Sequence, residues 1–209
     1  MTFAIWLQPH KGNPFTKAFQ DLITDEVPKQ LDQDKQSFPP HITLTNIDNE
    51  QLGGKLPQEW LDGLELPDFK AEFNEVVVTL DTLQGGDDYL QKMNISVLDD
   101  DNLKKLAAVC KASAIGSQEK GQTWAQKEFQ PSFPLLYADI PTREAQNKVA
   151  LIEMKIGFSI GDIFACCGGT LCMGGHLVIA KQGSSEKQWE EVAKRETPWI
   201  MWRATHSLI

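Results

Sequence analysis

The residues best suited to acid–base chemistry in this sequence are His41 and Thr43. They lie in Pro40-His41-Ile42-Thr43-Leu44, where apolar and polar residues alternate as in a strand. Side chains two residues apart on a strand share a face, so His41 and Thr43 should point the same way. A histidine can move a proton near neutral pH, and a hydroxyl can bind a phosphoryl oxygen. Taken alone, the short motif is more typical of a partly buried strand histidine, because H-x-T is common by chance.

A second segment of the chain has a similar pattern of residue types but no histidine. Pro131-Ser132-Phe133-Pro134-Leu135 shares the pattern Pro-x-apolar-x-Leu with the first segment, and a phenylalanine stands two residues before each proline. Each segment opens a predicted strand, so Ser132 and Pro134 correspond to His41 and Thr43. Serine does not titrate near neutral pH, and proline has neither a side-chain donor nor a backbone N–H.

The elements around these motifs predict an α+β fold. Strands are predicted at 3–8, 41–45, 69–83, 89–98, 133–140, 158–164 and 176–181, and helices at 15–31, 56–64, 102–113 and 142–154. Segment 117–123 is predicted to be a loop, and 189–194 fits a strand or a helix. Short strands joined by hairpins and single helices favour antiparallel sheets.

Composition limits the class of protein and of partner. The chain of 209 residues suits one globular domain or two small lobes, and 41% apolar residues can form a core. The net charge of −9 repels polyanions, so we expect no long nucleic acid as a partner, although a small phosphate ligand remains compatible. The N-terminal apolar run is too short for a signal peptide, and no stretch approaches the ~20 residues of a membrane span. We therefore expect an intracellular protein.

The four cysteines allow two interpretations. Cys166, Cys167 and Cys172 cluster, and His176 is the only histidine near them. Adjacent cysteines rarely bind one ion together, and no C-x-x-C pair occurs, so we favour reduced structural cysteines, Cys110 included, over a zinc site.

The two motifs and their flanks resemble the two-histidine (2H) phosphoesterases, in particular the 2′,3′-cyclic-nucleotide phosphodiesterases of fungi and plants. The segment around His41 is similar to the first family signature, H-x-[T/S]-apolar. The segment from Phe129 to Asp139 is similar to the second, F/Y-x-P-H-apolar-S-L-L-Y-x-[D/E], except that Ser132 and Pro134 replace its histidine and serine. The opening strand and the closing 177–181 and 189–192 also look like the family, so the resemblance covers nearly the whole chain.

The resemblance implies a single bilobal α+β domain over residues 1–209, with two antiparallel sheets flanked by helices around a central groove. The N- and C-terminal segments would form one lobe and the middle of the chain the other, with His41 facing Ser132. It implies that His41 and Thr43 are catalytic, that Trp6, Tyr137 and Ser132 bind substrate, and that no metal or organic cofactor is needed. Trp6 and Tyr137 could each stack on a base or simply pack in the core.

The implied reaction is hydrolysis of a nucleoside 2′,3′-cyclic phosphate, or of ADP-ribose 1″,2″-cyclic phosphate, to the 2′- or 1″-phosphate, as in RNA and tRNA-splicing metabolism. One histidine would activate water and the other would protonate the leaving oxygen, and losing one such group costs ~10²–10⁴ in rate. We therefore expect either impaired hydrolysis or a catalytically inactive family member that binds a nucleotide or phosphate.

Three further expectations concern residues and partners outside the motifs. His176 could replace the missing histidine, although a packing or surface role is the simpler interpretation, and His10 and His206 should be solvated. A third function, an interaction module using the acidic surface, rests on net charge alone. We expect a cytoplasmic monomer with a small nucleotide or cyclic-phosphate ligand, and the resemblance also allows Golgi association.

Overall fold

The computed structural model of the protein describes residues 2–69, 75–183 and 188–208. The strands are β1 (Thr2–Pro9), β2 (Ile42–Asp48), β3 (Val76–Gly85), β4 (Met93–Val97), β5 (Ser132–Leu136), β6 (Thr170–Met173), β7 (Gly175–Gln182), β8 (Trp189–Glu196) and β9 (Ile200–Ala204). The α-helices are α1 (Pro14–Asp21), α2 (Val27–Gln30), α3 (Pro57–Asp62), α4 (Asp101–Ile115), α5 (Gln118–Lys127), α6 (Thr142–Gln146) and α7 (Val149–Cys166).

The strands form two sheets, which confirms the predicted α+β class. A four-stranded sheet has the order β2-β1-β7-β8, and a five-stranded sheet has the order β5-β4-β3-β9-β6. An exception to the expected antiparallel pairing is the β3–β9 pair, which is parallel from Val76–Ile200 to Leu80–Ala204. Strand β9 follows β8 of the other sheet, so it enters by a crossover rather than by a hairpin, and only such a connection permits a parallel pair.

The first helical region fits its prediction. Asn13 caps α1 by accepting a hydrogen bond from the Phe15 N–H at 2.9 Å, and Pro14 occupies the first turn, where its missing N–H costs nothing. A π-helical turn, Leu22–Glu26, joins α1 to α2 and keeps the region from Pro14 to Gln30 continuous.

Two predicted elements are wrong. The predicted strand 158–164 lies inside α7, where Ile152, Ile156 and Ile160 repeat every four residues and are all buried. This period buries one side of a helix and outweighs the short β-like run.

The predicted loop at 117–123 lies mostly within α5. Ser117 caps this helix by accepting from the Lys120 N–H, and Gly121 faces α4. A Cβ at Gly121 would stand 2.7 Å from the Ala108 carbonyl oxygen, so this glycine permits close helix packing rather than marking a turn.

Each face of the four-stranded sheet has its own apolar cluster. One face joins the main core, through residues such as Ile5, Leu7 and Ile179. The other carries a small cluster of Ala4, Trp6, Val178 and Ala180, with Trp189 packed against it. This alternation follows from the two-residue period of a strand, and the second face carries the candidate site. Within the described residues, none of the helices combines the length and apolar character needed to cross a bilayer.

Candidate functional site

A cavity of about 160 Å³ lies between the two sheets, at the positions of the two sequence motifs. The first sheet contributes Trp6 and Thr43, and the chain around β5 contributes Ser132, Pro134 and Tyr137. The remaining lining residues are Ala4, Asn46, Asp88, Leu90, Gln91, Gln130 and Trp189. The structure thus brings four of the five predicted site residues together, while His41 lies behind the cavity wall.

Strand pairing explains how these side chains reach the cavity. Trp6 pairs with Thr43 across β1 and β2, so both project from the same face of the sheet. Ser132 and Pro134 lie on β5, which is an edge strand of the other sheet. Proline cannot donate to a strand ladder, and it is tolerated here because an edge strand has one unpaired side.

His41 is completely buried, and both of its ring nitrogens have partners. Nδ1 lies 2.7 Å from the Pro39 carbonyl oxygen, and Nε2 lies 3.1 Å from the Tyr137 hydroxyl. A carbonyl can only accept, so Nδ1 carries the proton and Nε2 accepts from Tyr137. The Trp6 ring stacks on the imidazole with centroids 4.0 Å apart. Trp6 and Tyr137 therefore stand between His41 and the cavity.

Burial makes this histidine a poor proton carrier at neutral pH. Burial lowers the pKa of His41 to about 4, and the hydrogen bond to the Pro39 carbonyl opposes this only in part. Burial also raises the pKa of the Tyr137 hydroxyl. Both groups are therefore neutral at pH 7, and a proton can pass from His41 to a ligand only through Tyr137 or after a side-chain movement.

The buried histidine should make stability depend on pH. The folded-state pKa lies below the ordinary 6.5, so the unfolded chain binds the extra proton and stability falls as pH drops from about 6.5 to 4. Between pH 7 and pH 5 we expect His41 to cost about 2 kcal/mol of unfolding free energy. Urea unfolding at both pH values measures it, and His41→Gln should remove this part of the loss. An equal pH dependence in His41→Gln would show that other groups, such as His176, are responsible.

The cavity has hydrogen-bond donors but little electrostatic attraction for an anion. Thr43, Asn46, Gln91, Gln130 and Ser132 supply hydroxyl and amide groups. Among the lining residues described, the one with a formal charge at pH 7 is Asp88, whose carboxylate accepts from the Leu90 N–H at 2.8 Å. A phosphate would therefore be held by neutral donors against a nearby negative charge, which predicts weak binding.

Trp189 is a lining residue that sequence reasoning did not assign to the site. Its ring lies 5.2 Å from that of Trp6, and it also lines a larger cavity of about 720 Å³ beside Gln8, Lys11 and Lys17. The signal available in the sequence was an aromatic residue opening a candidate final element, but its contact with Trp6 depends on β8 joining β7.

The other histidines lie outside this cavity. His176 is buried on β7, with Nδ1 3.2 Å from a Glu196 carboxylate oxygen, and the His10 ring contacts it edge-on at a centroid distance of 4.5 Å. His206 packs against Phe164. His176 is therefore not among the residues that line the cavity beside Ser132.

The four cysteines are free thiols, but only two are buried. Cys110 and Cys172 are buried, and burial raises the pKa of each thiol to about 12. Cys166 and Cys167 are exposed at the end of α7. The expectation of structural cysteines thus fits the first pair and not the second.

Comparison with known proteins finds similar chains over most of this sequence. The chain is 26% identical over 197 residues to a 2′,3′-cyclic-nucleotide 3′-phosphodiesterase of Phaeosphaeria nodorum, covering 92% of this chain and 97% of the relative. It is 25% identical over 210 residues to a protein of the same name from Neurospora crassa, covering 92% and 97%. A third such protein, from Yarrowia lipolytica, is 22% identical over 223 residues, covering 94% and 100%.

The model of one protein family spans nearly the whole chain. The family is described as "Cyclic phosphodiesterase-like protein", and its model matches residues 1–197. That match includes both motif segments and every residue lining the cavity between the sheets. The chain therefore belongs to the cyclic phosphodiesterase-like family.

Proposed function

We propose that this protein binds a nucleotide or its cyclic phosphate in the cavity between the sheets and hydrolyses 2′,3′-cyclic nucleotides only slowly, to the 2′-phosphate. The substrate class comes from the relatives, which are named 2′,3′-cyclic-nucleotide 3′-phosphodiesterases. ADP-ribose 1″,2″-cyclic phosphate presents the same strained cyclic diester and belongs to the same proposal.

The observation that carries the proposal is the chemistry at the two motif positions. Ser132 and Pro134 supply no group that titrates near pH 7, and His41 is buried behind Trp6 and Tyr137. Attack of water on a cyclic phosphate needs a base, and departure of the 3′ oxygen needs an acid. With at most one histidine available, and that one shielded, one of the two proton transfers goes uncatalysed.

The cavity's size and lining suggest how a ligand would lie. A volume of about 160 Å³ is smaller than the ~300–1,000 Å³ typical of ligand pockets, so it would take the phosphate and ribose rather than a whole nucleotide. Thr43, Ser132 and Gln130 would donate to phosphoryl oxygens. One face of Trp6 is already stacked on His41, so a base could contact only its edge or its other face, towards Trp189.

A turnover assay and a binding titration test the two halves of this proposal. The purified protein should hydrolyse 2′,3′-cyclic AMP ~10²–10⁴-fold more slowly than an intact relative. Binding of 2′-AMP, followed by amide chemical shifts, should have a millimolar dissociation constant. Thr43→Val should weaken it by about 0.5–1.5 kcal/mol, the contribution of one hydrogen bond, while the exposed Thr82→Val should not change it.

Two outcomes would contradict the proposal, each in a different half. Turnover by the unmodified protein at a typical enzyme rate of ~10 s⁻¹ would show that catalysis is not impaired. Absence of 2′-AMP binding at tens of millimolar ligand would show that the cavity is not a nucleotide site.

The alternative function is a family member that binds without any turnover. The feature that favours it is that both ring nitrogens of His41 are already hydrogen-bonded within the protein, to the Pro39 carbonyl and the Tyr137 hydroxyl. Residual hydrolysis that disappears in His41→Gln would argue for the slow enzyme, whereas binding with no hydrolysis above the uncatalysed rate would establish the alternative.

A further inference from the structure

Three metal-ligating side chains meet at the end of the four-stranded sheet, away from the residues that line the site cavity. His10 follows β1, His176 lies near the start of β7, and Glu196 ends β8. Cross-strand pairing places them, because Gln8 pairs with His176 and His176 pairs with Glu196. One ligand atom from each residue lies within 4.8 Å of the other two. We propose that His10, His176 and Glu196 form a binding site for a single Zn²⁺ ion.

The distances suit a tetrahedral ion. Zinc bonds of about 2.0–2.1 Å to nitrogen and oxygen imply ligand-to-ligand separations of about 3.3–3.4 Å. The Glu196 oxygen lies 3.2 Å from His176 Nδ1 and 3.7 Å from His10 Nε2. The ligand nitrogens of His10 and His176 lie within 4.8 Å of each other. A rotation of the half-exposed His10 ring can shorten this distance to the value that a tetrahedral ion needs.

His176 provides an independent indication that this cluster is a ligand site, because one of its ring nitrogens is buried without a hydrogen-bond partner among the described residues. Its side chain is only 3% exposed, yet Nδ1 makes no hydrogen bond within the described structure. The nearby Glu196 oxygen is close enough for an ion pair but is not placed to accept a hydrogen bond. A buried polar atom without a partner costs about 1–3 kcal/mol, and a cation between this nitrogen and the carboxylate would remove that cost.

The charge state of His176 also suits a metal. Burial and the positive charge of Lys194 lower the pKa of His176, with Lys11 and His10 acting in the same direction and Glu196 opposing. The imidazole is therefore neutral at pH 7 and free to coordinate. The same lysines repel a cation, although Lys11 is paired with Glu191 at 2.8 Å, so we expect micromolar rather than tighter affinity.

Two features would hold the site and leave it accessible. Gly174, at φ 76°, packs against the His10 ring, and a Cβ there would stand 2.6 Å from its Cδ2 and 2.8 Å from its Nε2. Glu196 lines a solvent-accessible cavity of about 600 Å³, which gives an ion a path to the cluster. Two imidazoles and a carboxylate favour Zn²⁺ over Mg²⁺ or Ca²⁺, which prefer oxygen ligands, and leave a fourth position for water.

Calorimetric titration of chelator-treated protein with Zn²⁺ tests the site. We expect one ion per chain, and His10→Ala and Glu196→Gln should each weaken binding at least ~10-fold. Both changed side chains are partly exposed, so the fold should survive, and circular dichroism checks this. Gly174→Ala should weaken binding by displacing the His10 ring.

The controls separate this cluster from other zinc ligands. Cys166→Ser with Cys167→Ser removes the exposed thiols, and His206→Ala removes the remaining partly exposed histidine, and neither should change the affinity. Bound Co²⁺ should show a spectrum without a thiolate charge-transfer band. Loss of binding in the cysteine variant, unchanged binding in Glu196→Gln, or no binding at ~100 μM Zn²⁺ would each overturn the proposal.

Discussion

Replacing Ser132 by histidine and Pro134 by serine is expected to raise the turnover of 2′,3′-cyclic AMP at least ~10²-fold, the lower end of an acid–base contribution. Both positions line the site cavity, on a strand opposite Thr43. A histidine at 132 supplies a group that titrates near pH 7 and is not shielded by Trp6. A serine at 134 restores a phosphoryl donor and a backbone N–H. Initial rates at saturating substrate measure the gain.

Three variants show whether the gain comes from these positions. Ser132→His alone should recover only part of the rate, because Pro134 still offers no donor. Gln130→His, combined with Pro134→Ser, introduces a histidine into the same cavity two residues away and should give little gain. His41→Ala in the double variant should reduce the rate again. A folded double variant that binds 2′-AMP but keeps the original rate would contradict the assignment of position 132.

Trp6→Ala is expected to lower the free energy of unfolding by about 3–5 kcal/mol, because it removes a fully buried indole between the sheets. The same change should let water reach His41, so its pKa should rise from about 4 towards 6.5. Urea unfolding measures the first effect, and NMR titration of the histidine ring protons measures the second.

Trp202→Ala provides the matched control for this prediction. Trp202 is as buried as Trp6 but lies on β9, in the five-stranded sheet, and its ring does not contact His41. It should destabilise the protein by a similar amount and leave the His41 pKa unchanged. If the pKa stays near 4 in Trp6→Ala as well, then Trp6 is not what separates His41 from solvent.

Local sequence patterns predicted much of the fold. The strands β1, β2 and β7 are predicted at 3–8, 41–45 and 176–181, and those residues lie in or next to them. Such predictions succeed because alternating or continuous apolar runs indicate which residues are buried. Short-range patterns failed where packing decided the outcome. Segment 117–123 is predicted to be a loop, but the missing Cβ of Gly121 lets α5 lie against α4. The run 158–164 suggested a strand, but the buried isoleucines of α7 hold it in a helix.

For the candidate site too, some features can be read from the sequence and others arise only in the folded protein. The residue types at 41, 43, 132 and 134 can be read from the chain, and they already show that no histidine stands at 132 or 134. The shielding of His41 cannot be read there, because it depends on Tyr137, 96 residues away, and on Trp6 of a neighbouring strand. The imidazole loses its contact with water only when these distant residues pack around it, so the lowered pKa of His41 arises only in the folded protein.

The sequence by itself determined the α+β class, the H-x-T spacing at 41–43, and the absence of a histidine at position 132. Only the tertiary structure decided which of these side chains reach the cavity and where the remaining histidines lie. His10, His176 and Glu196 are separated by up to 186 positions along the chain, and they meet because β1, β7 and β8 are neighbours in one sheet. Strand pairing joins residues that no local pattern connects, whereas the two-residue period that sets each strand's faces is already present in the sequence.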